Sequence, residues 1–116
     1  LPNDVTVGND LTVSNDLTVT GNLTVNGTTT TISSTNTVVE DKLFELANGT
    51  TGTPTGDVGL ILERGDSDNV FIGWDESTDE ITFGTGSFTG ASTGNLTLTD
   101  SNIRAANITG TGNLDV

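Results

Sequence analysis

The side chains best able to do chemistry in this sequence are carboxylates gathered around its one tryptophan: Trp74, Asp75, Glu76, Asp79 and Glu80. Two carboxylates flanking a sugar suffice for glycoside hydrolysis, and a neighbouring indole offers a face for a sugar ring to stack on. The same composition describes a solvated hairpin tip, which needs no catalytic explanation and is the preferred reading. No catalytic residue is expected, and Trp74, Asp75, Glu76 and Asp79 stand only as candidates for surface binding. Ile72 and Trp74 share one strand face by alternation, so Trp74 is expected to pack in the core rather than present its ring to a carbohydrate.

Other constellations are weaker. Asp66-Ser67-Asp68-Asn69 spaces oxygen ligands as calcium loops do, but lacks the Gly and the distant Glu that complete an EF-hand. Asp10, Asp16 and Asn22 could collect a cation, but Asn and Asp are common turn residues. Arg64-Gly65-Asp66 spells an integrin-binding tripeptide, yet a turn after a strand at Leu60–Glu63 explains it. The Asn-x-Thr sequons at Asn22, Asn26, Asn48, Asn95 and Asn107 follow from richness in Asn and Thr. The sequence has no His and no Cys, which removes the conventional triad, the thiol nucleophile and the usual zinc ligands. No cofactor, no metal and no enzymatic activity are expected.

Charge narrows the partners. Only Lys42, Arg64 and Arg104 oppose sixteen carboxylates, for a net charge of −13. Affinity for phosphate comes from clustered Lys and Arg, so neither nucleic acid nor an anionic membrane is an expected partner. No apolar run approaches the roughly 20 residues needed to cross a bilayer, and no charged-then-apolar signal opens the chain. The first residue is Leu1 rather than Met and the last residues are repeat-like, as expected of a piece of something longer.

The elements that must position these residues are β. Thr favours a pleated strand, while Gly, Asn, Asp and Ser supply turns. The one helical candidate is a short stretch over Glu40–Ala47. Val70–Phe83 reads as a hairpin, strand Val70–Trp74 against strand Glu80–Gly84, with Asp75–Asp79 at its turn. Gly49–Gly56, with Pro54 among Thr and Gly, reads as a loop.

Residues 5–28 repeat with a period of six: Val-Thr-Val-Gly-Asn-Asp, Leu-Thr-Val-Ser-Asn-Asp, Leu-Thr-Val-Thr-Gly-Asn, Leu-Thr-Val-Asn-Gly-Thr. Alternation turns Val5, Val7, Leu11, Val13, Leu17, Val19, Leu23 and Val25 inward, and Thr6, Thr12, Thr18 and Thr24 outward. A weaker copy closes the chain at Asn95, Asn102, Asn107 and Asn113. The expected organisation is a β-helical shaft segment over 1–37, a small β domain over 38–90 containing the hairpin 70–84, and a second β-helical segment over 91–116.

A single-chain hexapeptide solenoid uses about 18 residues per triangular turn and about three stacked turns to enclose a core. The amino-terminal block supplies little more than one turn. Three identical chains side by side would instead form a prism, with Leu and Val of each layer meeting on the axis and no strand edge left open. The expected fold class is all-β, with trimeric, intertwined β-helix or β-prism segments flanking a small β-rich insert.

The run Asn22 to Ala47, and Gly59-Leu-Ile-Leu-Glu-Arg-Gly65 followed by Asn69-Val-Phe-Ile-Gly-Trp-Asp-Glu76, resemble segments of tail-fibre and virion structural proteins of marine phages, notably cyanophages. The hexapeptides are similar to those of triple-stranded β-helices in phage fibres and needles. The resemblance implies a homotrimer on the virion tail or another appendage, exposed outside the cell and serving host attachment. Other virion tail proteins, and a host surface glycan, would be its partners. It carries over no binding residue. The alternatives are a bacterial surface adhesin or extracellular filament subunit, a carbohydrate-binding module centred on Trp74, and a polysaccharide lyase or hydrolase.

Overall fold

The computed structural model describes residues 3–115. The chain divides into two compact units, Leu1–Glu40 and Asp41–Val116. The protein is all-β: its regular structure is one antiparallel sheet, and among the described residues there is no helix. None therefore is long and apolar enough to cross a membrane. The short helix expected over Glu40–Ala47 does not form. Eight residues are too few to hold a helix without packing, and the segment ends in a turn with Ala47 at φ 59°, Gly49 at φ 86° and Thr50 N donating to Ala47 O.

In the second unit the strands are β1 (Val58–Leu62), β2 (Asn69–Asp75), β3 (Glu80–Gly86) and β4 (Thr99–Asp100), in spatial order β1-β2-β3-β4. The expected hairpin is present as β2 and β3, in register from Asn69 opposite Gly86 to Asp75 opposite Glu80. Its turn closes with Thr78 N donating to Asp75 O, and Asp79 takes a left-handed φ of 57°, a conformation that Asp tolerates better than most side chains. β1 begins two residues and ends one residue earlier than the expected Leu60–Glu63. β4 comes from sequence that reads as the second repeat block, so residues 94–101 join the sheet unit.

The two faces of the sheet differ in one feature of the sequence. By alternation, Gly59, Gly73, Gly84 and Gly86 all fall on the face that carries Phe71 and Asp75. This is the covered face. Phe71 (2% exposed) and Phe88 (7%) are its core, with ring centroids 6.2 Å apart at 78°, an edge-to-face pair. The glycines are what let the rings lie down. A Cβ at Gly73 would stand 2.7 Å from Phe71 Cζ and 2.6 Å from the Cα of Gly59, its partner across the strands. A Cβ at Gly86 would meet the Phe88 ring at 2.8 Å, and one at Gly84 would meet the Leu98 side chain at 3.2 Å. Glycine inside a strand marks such close approaches.

The expected core position of Trp74 is corrected. Trp74 lies on the opposite, open face and is 37% exposed, because the segment carrying Phe88 folds over the glycine side. Cross-strand rows on the open face run Val58, Trp74, Ile81, then Leu60, Ile72, Phe83, then Leu62, Val70, Thr85.

The Leu1–Glu40 unit has no hydrogen-bonded strand among its described residues, and no backbone-to-backbone hydrogen bond. Bends at 8–9, 14–15 and 20–21 follow the six-residue period, and the next falls at 27–28.

Candidate functional site

Of the four candidate surface residues, only Trp74 and Glu76 meet. Trp74 is on the open face, and its indole Nε1 donates to Glu76 Oε2 at 2.8 Å. Asp79 is exposed at the left-handed corner of the turn. Asp75 is on the covered face and buried. Its Oδ1 accepts from the Ser77 hydroxyl at 2.6 Å and from Ser77 N at 3.0 Å, an Asx turn that shapes the hairpin tip.

The Ser77 hydroxyl, foremost, holds the Asp75 carboxyl below its ordinary value; burial opposes this, and the Ser77 backbone N–H and Thr78 add to the lowering. A general acid needs the opposite shift, because it must keep its proton near neutral pH. Asp75 is thus suited to holding the turn as an ionised acceptor. Its folded pKa lies below the unfolded one, so its stabilising contribution is fully present above the unfolded value, about pH 3.9, and is lost as pH falls through the folded value. Urea unfolding of wild type and Asp75→Asn should therefore give a gap that is constant at neutral pH and closes on acidification below about pH 4. A gap that ignores pH would mean that the charge contributes nothing.

The loop from Asp66 to Asn69 is likewise committed to the fold. Asn69 Oδ1 accepts from Arg64 N at 3.3 Å, Asn69 Nδ2 donates to Phe88 O at 2.8 Å, and Arg64 Nη1 donates to Asp68 O at 3.3 Å. Asn69 thereby ties the loop of the Arg-Gly-Asp tripeptide to the segment that covers the core. Among the described residues, no group of three or more His, Cys, Asp or Glu side chains is gathered closely enough to hold a metal ion.

The polar side chain that spans the greatest distance along the chain is one that sequence reasoning passed over. Asp57, just before β1, accepts from Glu76 N through Oδ1 at 2.9 Å and from Leu96 N through Oδ2 at 2.8 Å. Its own N–H donates to Gly94 O at 2.9 Å. One carboxylate thus ties the start of the sheet to the tip of the hairpin and to the segment that returns across the covered face. Its neighbours in sequence read only as a Gly-rich loop, and its second partner is 39 positions away, so no local signal reveals it.

The expected inward stripe of the first unit is open in the single chain. Val5, Val7, Leu11, Val13, Leu17, Val19, Leu23 and Val25 are 43–68% exposed, with each Leu more exposed than the Val two positions after it. The exposure repeats with the same period as the sequence. A monomeric protein rarely leaves an ordered row of aliphatic side chains in water.

No family model, curated protein or solved structure matches the chain.

Proposed function

We propose that this chain is a structural shaft module of a homotrimeric phage tail fibre or related virion appendage, acting outside the cell in support of host attachment. The observation that carries the reading is the periodic aliphatic stripe at residues 5–25, left open by a unit with no backbone-to-backbone hydrogen bond among its described residues. Both deficits are met by the same remedy. Copies laid side by side would bury the stripe and supply partners for the free N–H and C=O groups. Burying one such side chain contributes roughly 1.5–3 kcal/mol, against a backbone ordering cost of about 1–2 kcal/mol per residue, so the balance turns on how completely each chain's stripe is covered.

The function is mechanical: a stiff spacer that holds a receptor-binding or baseplate-binding end at fixed reach. Such a role asks for no catalytic constellation, in keeping with the use of Asp57, Asp75 and Asn69 as ties within the fold. The resemblance of residues 22–90 to phage structural proteins supplies the virion setting.

The test is mass in solution across a range of protein concentrations, by light scattering or sedimentation without crosslinker. Three copies are expected, with an unfolding midpoint that rises with concentration. A thermally robust single chain would overturn the proposal.

A further inference from the structure

The open face of the sheet is a second uncovered surface, in a part of the chain that the repeats do not reach. Leu60, Trp74, Ile81 and Phe83 are all exposed on it, around the half-buried Ile72 at its centre. The cross-strand rows on this face contain no charged side chain. The patch is on the order of 500 Å², in the upper part of the range for the largest apolar patch of a typical monomer.

We propose that this face packs against further copies of the same chain, so that the sheet unit is itself an interface between subunits. Three arguments name the occupant. First, identical chains of net charge −13 repel least where the surfaces that meet have few carboxylates. On this sheet that is the open face, since the strand carboxylates Asp75, Glu80 and Asp100 share the glycine side and only Glu76 reaches the rim of the other. Second, the face has the anatomy of an interface: an aromatic and aliphatic centre, and a polar rim where Glu76 accepts from the Trp74 indole. Two such patches meeting would bury roughly 1,000 Å², the minimum expected of a biological interface.

Third, the repeats also leave their stripe open, so one association covers both surfaces. Copies joined through the repeats would hold their sheets at high effective concentration, and a modest patch then suffices. This last argument rests on the threefold reading above; the first two do not.

Trp74 is the only tryptophan in the chain, so its fluorescence reports on this face alone. Acrylamide is the quencher of choice, because a neutral molecule is not repelled by the acidic chain. In the assembled wild type, Trp74 is expected to emit at shorter wavelength and to resist quenching, whereas Ile81→Glu should raise its accessibility several-fold. Ile81 is opposite Trp74 and 64% exposed, so on a free face a glutamate there would sit in water and change little. Circular dichroism of the variant checks that the sheet persists, and Ile81→Thr, which keeps a strand-forming side chain without charge, serves if it does not.

Light scattering on the same samples separates the two proposals. Two copies with Trp74 protected would support this inference and overturn the threefold reading; three copies with Trp74 freely quenched would do the reverse. Single chains at every concentration would overturn both. Three copies with Trp74 protected, and released by Ile81→Glu, would support both.

Discussion

Replacing Leu11 and Leu17 together with Asp is expected to reduce the protein from an assembly to separate chains, while Asp at Thr12 and Thr18 should leave the assembly intact. The four positions alternate along the same two repeats, so the pair of variants tests parity rather than composition. In a threefold prism each inward position occurs three times in one layer. Each Leu→Asp change would forfeit roughly 1.5–3 kcal/mol of burial per copy. It would also gather three carboxylates in an apolar interior, where an unpaired charge costs far more than in water. Asp at the Thr positions adds charge to a surface that is already acidic and wet. The readout is mass by light scattering at matched concentration. Equal behaviour of the two variants would remove the basis for an inward stripe.

Phe71→Ala is expected to unfold the sheet unit, or to leave it so weak that its urea midpoint falls to a small fraction of the wild-type value. Truncating a buried Phe costs about 3–5 kcal/mol, through lost burial and the cavity left behind. Native domains are stable by only about 5–15 kcal/mol in all. Here the core offers little reserve: Phe71 and Phe88 are its buried hydrophobic residues, and they touch edge to face. The floor beneath them is glycine, which cannot move in to fill the space. Phe71→Leu should recover part of the loss by refilling some of the volume. Unfolding followed by circular dichroism and Trp74 emission checks this, and a midpoint unchanged by Phe71→Ala would mean that the ring pair does not hold the sheet.

The hairpin was legible because two signals agreed: alternation through Val70–Trp74 and Glu80–Gly84, and a polar turn between them. β1 was legible as an apolar run, though it begins two residues earlier than expected and ends one earlier. β4 was not, since Thr99 and Asp100 look like any repeat turn and join the sheet only through pairing with Gly84 and Thr85. The Glu40–Ala47 helix was misread because Glu, Lys, Leu and Ala favour helix locally, while nothing packs there to sustain one.

The face assigned to Trp74 was misread for a different reason. Ranking side chains by size puts Trp74 inside, but which face is covered depends on the chain that returns over it. The signal lay in the smallest residues: Gly59, Gly73, Gly84 and Gly86 have one parity, and that parity marks the approach of Phe88 and Leu98. The candidate site was legible only as a cluster in sequence. Adjacent strand residues point to opposite faces, so Trp74 and Asp75 were never able to act on one ligand from within β2.

Strand order has a consequence in time. Each strand pairs with the one before it in sequence, and such short-range pairings form early because little chain entropy is lost in closing them. The hairpin of β2 and β3 can close within microseconds, β1 can add to it at once, and the Asp57 link to Leu96 must wait for the far end to return. All of this is available to a polypeptide still alone, whereas in the proposed assembly the repeats would first have to encounter their companions. Nascent subunits would therefore carry finished sheets while their aliphatic rows are still unprotected, and the encounter rate, rather than any intramolecular event, would govern maturation.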